Sequence, residues 1–377
     1  MRIVLWGTHD TGKPRTRILI AGLGAAGVDL EQIHTPVWEG IEDKSQLSGW
    51  PARVVTGLRW LMAYPALVWR LLRAPRPDLL LVGYPGIVDI LIAAPIARVR
   101  GIPLAWDVFL SLYDTICEDR KLVPRGSLAA RTLYRIERFA LKRADVLFMD
   151  TRAHARRLEH LFDLSEGSCG AVWVGVEAER FPARPTRPFI DATAMQVLFY
   201  GQFIPLHGIE TIIAAARLLR EAPIRWQLIG HGQEAALIRR LLDDDPLPNL
   251  KWTEWVDYAD LERRIAEADL CLGIFGTSEK AASVIPNKVF QIIAAQRPLV
   301  TRDSPAIREL LSPSPRCVRL IPAGDARALA DAVLAQRQTM LDNSTPAGCH
   351  AAVLGKIDAT AIGRQFLAMI QQKQSRQ

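Results

Sequence analysis

The sequence predicts an α/β protein made of two doubly wound domains in tandem. Three observations predict it. The chain has 377 residues, more than one hydrophobic core usually serves. Short apolar runs alternate with helical stretches along its whole length, the mark of βαβ units. One irregular stretch rich in proline and arginine separates two such series.

The first series runs through a strand at Arg2–Trp6, a helix at Pro14–Ala26, a weak strand near Gln32, a helix at Ala52–Leu72 and a strand at Leu79–Val82. It continues with a helix at Ile87–Val99, a strand at Pro103–Asp107, an amphipathic helix near Ser127–Lys142 and strands at Asp145–Met149 and near Val172–Val174. Leu79 to Ala97 is long and apolar enough to suggest a membrane span. Gly83, Pro85, Gly86, Asp89 and Pro95 interrupt it, so it reads as a buried strand, a turn and a helix.

Pro182, Pro185 and Pro188 mark the linker, set at residues 181–193 between a first domain of 1–180 and a second of 194–350. Residues 351–377 form a C-terminal helix for which packing back on the first domain is one option. The second series alternates strands at Val197–Tyr200, Trp226–Ile229, Leu250–Trp252, Leu270–Ile274, Leu299–Thr301 and Val318–Ile321 with helices between them. Sheets of this kind bind ligands at the carboxyl ends of their strands, so the expected site is a cleft that the two domains face.

With 49% hydrophobic and 23% charged residues the composition is that of a folded chain. The net charge of +7 suits nucleic acid, an anionic bilayer or phosphate-bearing substrates equally well. No helix-turn-helix, zinc finger or aromatic RNA-binding signature accompanies it, so nucleic acid is not expected as a partner. The five cysteines are widely spaced, form no CxxC pair and leave one over after any pairing, which fits a reducing cytoplasm. The start of the chain lacks the pattern of a secretory signal.

Gly7 to Pro14 follows the phosphate-loop spacing up to its last position, where proline lacks both the hydroxyl for magnesium and the backbone N–H. The segment reads either as a loop carrying Gly12, Lys13 and Arg15 at the mouth of the site or as a plain strand-to-helix turn, with Pro14 opening a helix. In the second domain, Gly201 to Glu210 forms a loop and a helix start whose free amides and dipole favour an anion. Gly230-His231-Gly232 is a turn open to close backbone approach. Pro286-Asn287-Lys288 opens a further helix, with Pro286 at its first position. A cation normally disfavours a helix N-terminus, so Lys288 points to a bound anion, with a solvated surface lysine as the alternative.

Taken together, Phe199-Tyr200-Gly201, His207-Gly208-Ile209-Glu210, Ile229-Gly230-His231-Gly232 and Ile285-Pro286-Asn287-Lys288-Val289 resemble the donor-binding domain of family 4 glycosyltransferases. The resemblance implies a GT-B fold of two Rossmann-like domains, a nucleotide diphosphate sugar as donor, no metal and no resident cofactor, and retention of anomeric configuration. It places Gly201, Gln202, Phe203, His207, Gly230, Gly232, Ser283, Pro286, Asn287 and Gln291 at the donor, Lys288 beside the diphosphate, and Trp255 and Val256 at the base. The arginine and lysine usual after the opening strand are replaced by Gln202 or Phe203 and by His207. The paired glutamates of the family fall on Ser283 and Gln291.

In the first domain the resemblance puts a catalytic residue at Asp107, where a carboxylate could accept or orient the acceptor's hydroxyl proton; Ser111 and Asp114 follow as acceptor-side residues. Capping of the next segment is the alternative for Asp107. Trp60, Tyr64 and Trp69, set among leucines and flanked by Arg53, Arg59, Arg70 and Arg73, suit either an interfacial helix on an anionic membrane or an ordinary core helix. The expected protein is a cytoplasmic glycosyltransferase, peripheral at the inner face of the membrane, acting on a lipid-linked or glycan acceptor. A binding-only scaffold of the same fold, suggested by Ser283 and Gln291, and a P-loop phosphotransferase are the alternatives.

Overall fold

The computed structural model describes residues 1–37, 50–183, 189, 194–314, 316–342 and 348–374. Most of the interdomain stretch at 181–193, and the side chain of Arg53, lie outside them. The chain divides into one unit of residues 1–175 with 358–377 and another of residues 176–357.

The first unit contains β1 (Arg2–Gly7), α1 (Pro14–Ala25), β2 (Asp29–His34), α2 (Trp50–Arg73), β3 (Leu79–Val82), α3 (Ile87–Arg100), β4 (Leu104–Asp107), α4 (Leu128–Leu141), β5 (Val146–Met149), α5 (Arg152–Leu161) and β6 (Cys169–Ala171). The strands pair in parallel in the order β2-β1-β3-β4-β5-β6. Helices cover both faces, which is why β3 reads as an unbroken apolar run. Val4, Trp6, Leu80, Val82 and Trp106 face a core shared with α2, α3, α4 and α5. The alternate residues Ile3, Leu5, Leu79, Leu81 and Phe148 face α1 and the final helix. Sequence periodicity missed α5: its apolar contribution is confined mainly to Ala153, Ala155 and Leu158 among charged residues. The last strand lies three residues earlier than its composition suggested.

The second unit contains β7 (Met195–Tyr200), α6 (Ile209–Leu218), β8 (Ile224–Ile229), α7 (Ala235–Asp244), β9 (Leu250–Thr253), α8 (Tyr258–Glu267), β10 (Leu270–Leu272), α9 (Glu279–Ser283), α10 (Asn287–Ala294), β11 (Leu299–Arg302), α11 (Ile307–Leu310), β12 (Val318–Ile321), α12 (Ala326–Leu341) and α13 (Ala351–Leu354). Its parallel sheet has the order β12-β11-β10-β7-β8-β9. The chain winds outward from β7 to β9 and then returns to set β10 on the other side of β7. That reversal is a topological switch point.

The chain then rejoins the first unit through α14 (Ala359–Gln374), which packs on α1. The two helices meet backbone to backbone, since a Cβ at Gly22 would stand 2.1 Å from the Ala359 carbonyl oxygen and one at Gly363 2.0 Å from that of Gly22. Phe366 and Ile370 extend the contact into the first core.

Cys317 and Cys349 are joined by a disulfide, with Cα atoms 5.3 Å apart. The wide spacing that suggested an environment without disulfides is misleading for this pair, because tertiary folding brings the start of β12 beside the segment before α13. Cys117, Cys169 and Cys271 are buried thiols. Among the described residues, no helix is long and apolar enough to cross a membrane.

Candidate functional site

In the second unit the site residues gather where β7 and β10 diverge. Lys288 lies in the first turn of α10, with Pro286 just outside the helix as its N-cap and no side chain capping the turn. Its side chain turns inward: the residue is 5% exposed, and Nζ sits 3.7 Å from the centroid of the Phe199 ring. Nζ has no hydrogen-bond partner among the described residues. Burial drives this ammonium well below its ordinary pKa. A Cβ on Gly201 would lie 3.0 Å from Nζ and 3.1 Å from Cε1 of His207, so both basic side chains close on the backbone of Gly201.

His207 is buried edge-on against Phe199, and its Nδ1 donates to the carbonyl of Gln202. That bond fixes the tautomer and leaves Nε2 able to donate only as imidazolium. The next helix, α6, starts at Gly208 without a side-chain cap. The positive ends of α6 and α10 therefore follow from the two strands that flank the switch point. Phe203 is fully buried, stacked on Trp252, and serves the core rather than a ligand.

Gly230 and Gly232 have a structural reason for being glycine that the sequence did not disclose. A Cβ on Gly230 would fall 1.9 Å from the Gly201 carbonyl oxygen, and one on Gly232 2.7 Å from that of Phe203. The close neighbour is thus the loop after β7, not open space for a ligand. Gln291 accepts from the Tyr200 hydroxyl at 2.9 Å and donates to that of Tyr258 at 3.3 Å. Ser283 donates back to the Glu279 carbonyl within α9. Trp255 stands 70% exposed after β9, with Val256 partly buried beside it.

In the first unit, Asp107 ends β4 but is not available to an acceptor. Its Oδ2 and Oδ1 accept from Nε and Nη2 of Arg15, both at 2.8 Å, and the two residues are 3% and 2% exposed. Arg15 also donates to the carbonyls of Val172 and Met149 and packs against Phe109 and Phe148. Burial raises the Asp107 carboxyl pKa, and the guanidinium opposes that rise. The pair ties α1 to the ends of β4 and β5; an acceptor-side role for Arg15 fails for the same reason.

Ser111 and Asp114 are likewise enclosed. The Ser111 hydroxyl accepts from the Asp114 amide, while Asp114 is ion-paired to Arg157 at 2.6 Å. Glu137 accepts from the amides of Leu112 and Tyr113, holding the same turn. Burial pushes its carboxyl up to about 7, against the pull of those donors. Gly12 is exposed and Lys13 partly exposed in the loop after β1.

The sequence reading also passed over a buried polar cluster at the ends of β1 and β3. Asp89 accepts from the Thr8 amide at 2.8 Å and from the Thr8 hydroxyl, which in turn accepts from Trp60 Nε1 at 2.9 Å. Trp60 therefore faces inward, and the interfacial role expected for it is corrected. The exposed apolar face of α2 is instead made by Leu58, Leu61, Met62, Trp69 and Leu72. The local sequence signal for the cluster is the polar run Thr8-His9-Asp10 directly after an apolar strand, within a stretch whose glycine spacing is that of a phosphate loop.

Two family models match the chain: "Glycosyl transferases group 1" over residues 194–337 and "Glycosyl transferase 4-like domain" over residues 12–164. The chain is 27% identical over 245 residues to WbjE of Pseudomonas aeruginosa, described as a glycosyltransferase, covering 60% of this chain and 58% of that one. It is 25% identical over 181 residues to WcaL of Escherichia coli K12, described as a colanic acid biosynthesis glycosyltransferase, covering 46% and 43%. It thus spans about half the length of these curated relatives.

Among solved structures it is similar to Anabaena HepE in complex with UDP, with a TM-score of 0.67, 14% identity and coverage of 98% and 99%. It also resembles sucrose-phosphate synthase from Thermosynechococcus elongatus, with a TM-score of 0.66, 16% identity and full coverage of both chains, 100% each. At these identities the likeness is one of fold.

Proposed function

Because this chain belongs to the GT4-like glycosyltransferases of the GT-B fold, we propose that it transfers a glycosyl group from a nucleotide diphosphate sugar to a hydroxyl of a lipid-linked or glycan acceptor. The single observation that carries the donor side is Lys288, a buried amine without a hydrogen-bond partner among the described residues, at the switch point of the second sheet. Such a group is costly alone and is stabilised when an anion meets it.

In this reading the diphosphate takes the charge of Lys288 together with the first-turn amides of α6 and α10, and no resident cofactor is required. His207 assists once protonated. Trp255, exposed after β9, offers a face to the base. The bond from the anomeric carbon to the diphosphate breaks, the bond to the acceptor oxygen forms, and the hydroxyl proton is released. Negative charge on the departing diphosphate grows along this path, so a fixed cation there stabilises the transition state more than the ground state. Retention of configuration belongs to the proposal through the family resemblance. The UDP and UDP-glucose complexes of HepE make uridine nucleotides the first to try.

Titrating the full chain with UDP-, GDP-, ADP- and TDP-sugars while following its melting temperature tests the donor side. At least one is expected to stabilise it, and transfer to a glycan or lipid-linked sugar should follow with that donor. Stabilisation without turnover on any acceptor would support a binding-only protein. A melting temperature moved by none of them would overturn the donor assignment.

A membrane-associated acceptor is part of the same proposal. Leu58, Leu61, Met62, Trp69 and Leu72 recur at helical spacing along the exposed face of α2, with Arg73 stacked on Trp69 at 4.1 Å. Met62→Ser with Trp69→Ser is expected to reduce co-sedimentation with anionic vesicles at low salt. Trp60→Ser should instead lower the melting temperature, because it removes the hydrogen bond to Thr8. Equal vesicle binding by the parent and the double variant would exclude this face.

A further inference from the structure

Arg302 closes β11 and is 8% exposed. The carboxylate next to it in the chain, Asp303, is held by Arg308 through two contacts of 2.6 Å. A buried guanidinium is costly unless its donors are used, and Arg302 uses them on the backbone. Its Nη1 donates to the carbonyl of Gly276 and, at 3.3 Å, to that of Ser278, while its own amide donates to the Ile274 carbonyl at 2.9 Å. One residue thus grips the segment between β10 and α9 at three alternate carbonyls.

That segment lies against the turn that carries His207. The Phe275 amide donates to the His207 carbonyl at 3.0 Å, and the Gly276 amide to that of Leu206 at 3.2 Å. The two backbones meet with no side chain between them. A Cβ on Gly208 would stand 2.6 Å from the Phe275 carbonyl carbon, and one on Gly276 2.4 Å from the carbonyl oxygens of Leu206 and Pro205. A contact without slack passes a displacement on instead of absorbing it. Gly208 is also the residue from which α6 starts. Where residues 274–278 lie therefore sets both the His207 ring and the first-turn amides of α6.

We infer that Arg302 is a positioning residue for the donor site: it holds residues 274–278 against the 205–208 turn, so that His207 and the start of α6 stand where a diphosphate meets them. It acts through the backbone and not as a contact to the ligand. The ligand rests on the glycosyl-transfer reading; the coupling of Arg302 to His207 rests on the second unit's backbone alone. A positive charge acting at a distance is the competing account, and lysine separates the two. Lysine keeps the charge but lacks the fixed guanidinium plane that holds both carbonyls in one geometry.

The test compares the full chain with Arg302→Lys and Arg302→Gln, below their melting temperatures, by ring-nitrogen NMR and by calorimetric titration with UDP. The His207 signals are identified by their loss in His207→Gln. Both Arg302 variants should displace the His207 ring signals in the empty protein and weaken UDP binding several-fold. His207 signals unmoved in both variants would overturn the inference whatever the melting temperatures do, because a brace that serves stability alone leaves them in place. So would a UDP affinity kept by Arg302→Lys and lost in Arg302→Gln, the mark of charge alone. A parent that does not bind UDP, with His207 signals displaced in both variants, would leave Arg302 setting the turn and remove the donor reading instead.

Discussion

Lys288→Met is expected to weaken binding of the best nucleotide diphosphate by about ten- to hundred-fold, the loss of one charge-assisted contact of about 1.5–3 kcal/mol. The empty variant should melt no earlier than the parent. Removing Lys288 gives up its contact with the Phe199 ring but also relieves a buried amine that has no hydrogen-bond partner among the described residues, at the N-terminus of α10.

The pH dependence separates this from a surface lysine. Burial lowers the folded pKa below the ordinary value of 10.5. Between the two, the unfolded chain holds a proton that the folded chain has lost, so the empty protein gains stability as pH rises toward 10.5. A bound diphosphate restores the ammonium form. Where the empty site is neutral, binding should therefore take up a proton, seen as a calorimetric heat that varies with the ionisation enthalpy of the buffer. Proton uptake unchanged in Lys288→Met, together with unchanged affinity, would remove Lys288 from the donor site.

Asp107→Asn is expected to destabilise the protein by about 3–5 kcal/mol, the usual cost of leaving one member of a buried ion pair without its counter-charge. Arg15 would keep its contacts to the carbonyls of Val172 and Met149 but lose the carboxylate that balances it. Arg15→Met should cost a similar amount. The double variant Asp107→Leu with Arg15→Met should recover much of the loss, because an apolar pair of similar volume avoids the desolvation of both charges. Denaturant unfolding of the parent, Asp107→Leu, Arg15→Met and the double variant measures the coupling. A stable Asp107→Asn with reduced turnover would restore a catalytic role for that carboxylate.

The two expectations for Asp107 differ because position along a strand and availability to a ligand are separate properties. The end of β4 could be read from residues 103–107, since apolar runs closed by a polar residue mark strand ends. That Arg15, 92 positions away, reaches the same carboxylate could not. Lys288 is the opposite case. Its helix start was legible in Pro286-Asn287-Lys288, and the incongruous cation already pointed to an anion. Tertiary packing added the burial and, among the described residues, the lack of a hydrogen-bond partner that give the inference its force.

By itself the sequence determined what depends on local order: the alternation of strands and helices, the two series, the family motifs of the second unit and the incongruous lysine. These follow from periodicity, capping and turn chemistry, which act over a few residues. Only the tertiary structure decided that Gly230 accommodates the loop after β7, that Gln291 joins Tyr200 to Tyr258, that Cys317 meets Cys349, that α14 returns to α1, and that Trp60 points inward. Each is a meeting of residues far apart in the chain, fixed by which faces the packed helices bury and which polar groups the core must satisfy.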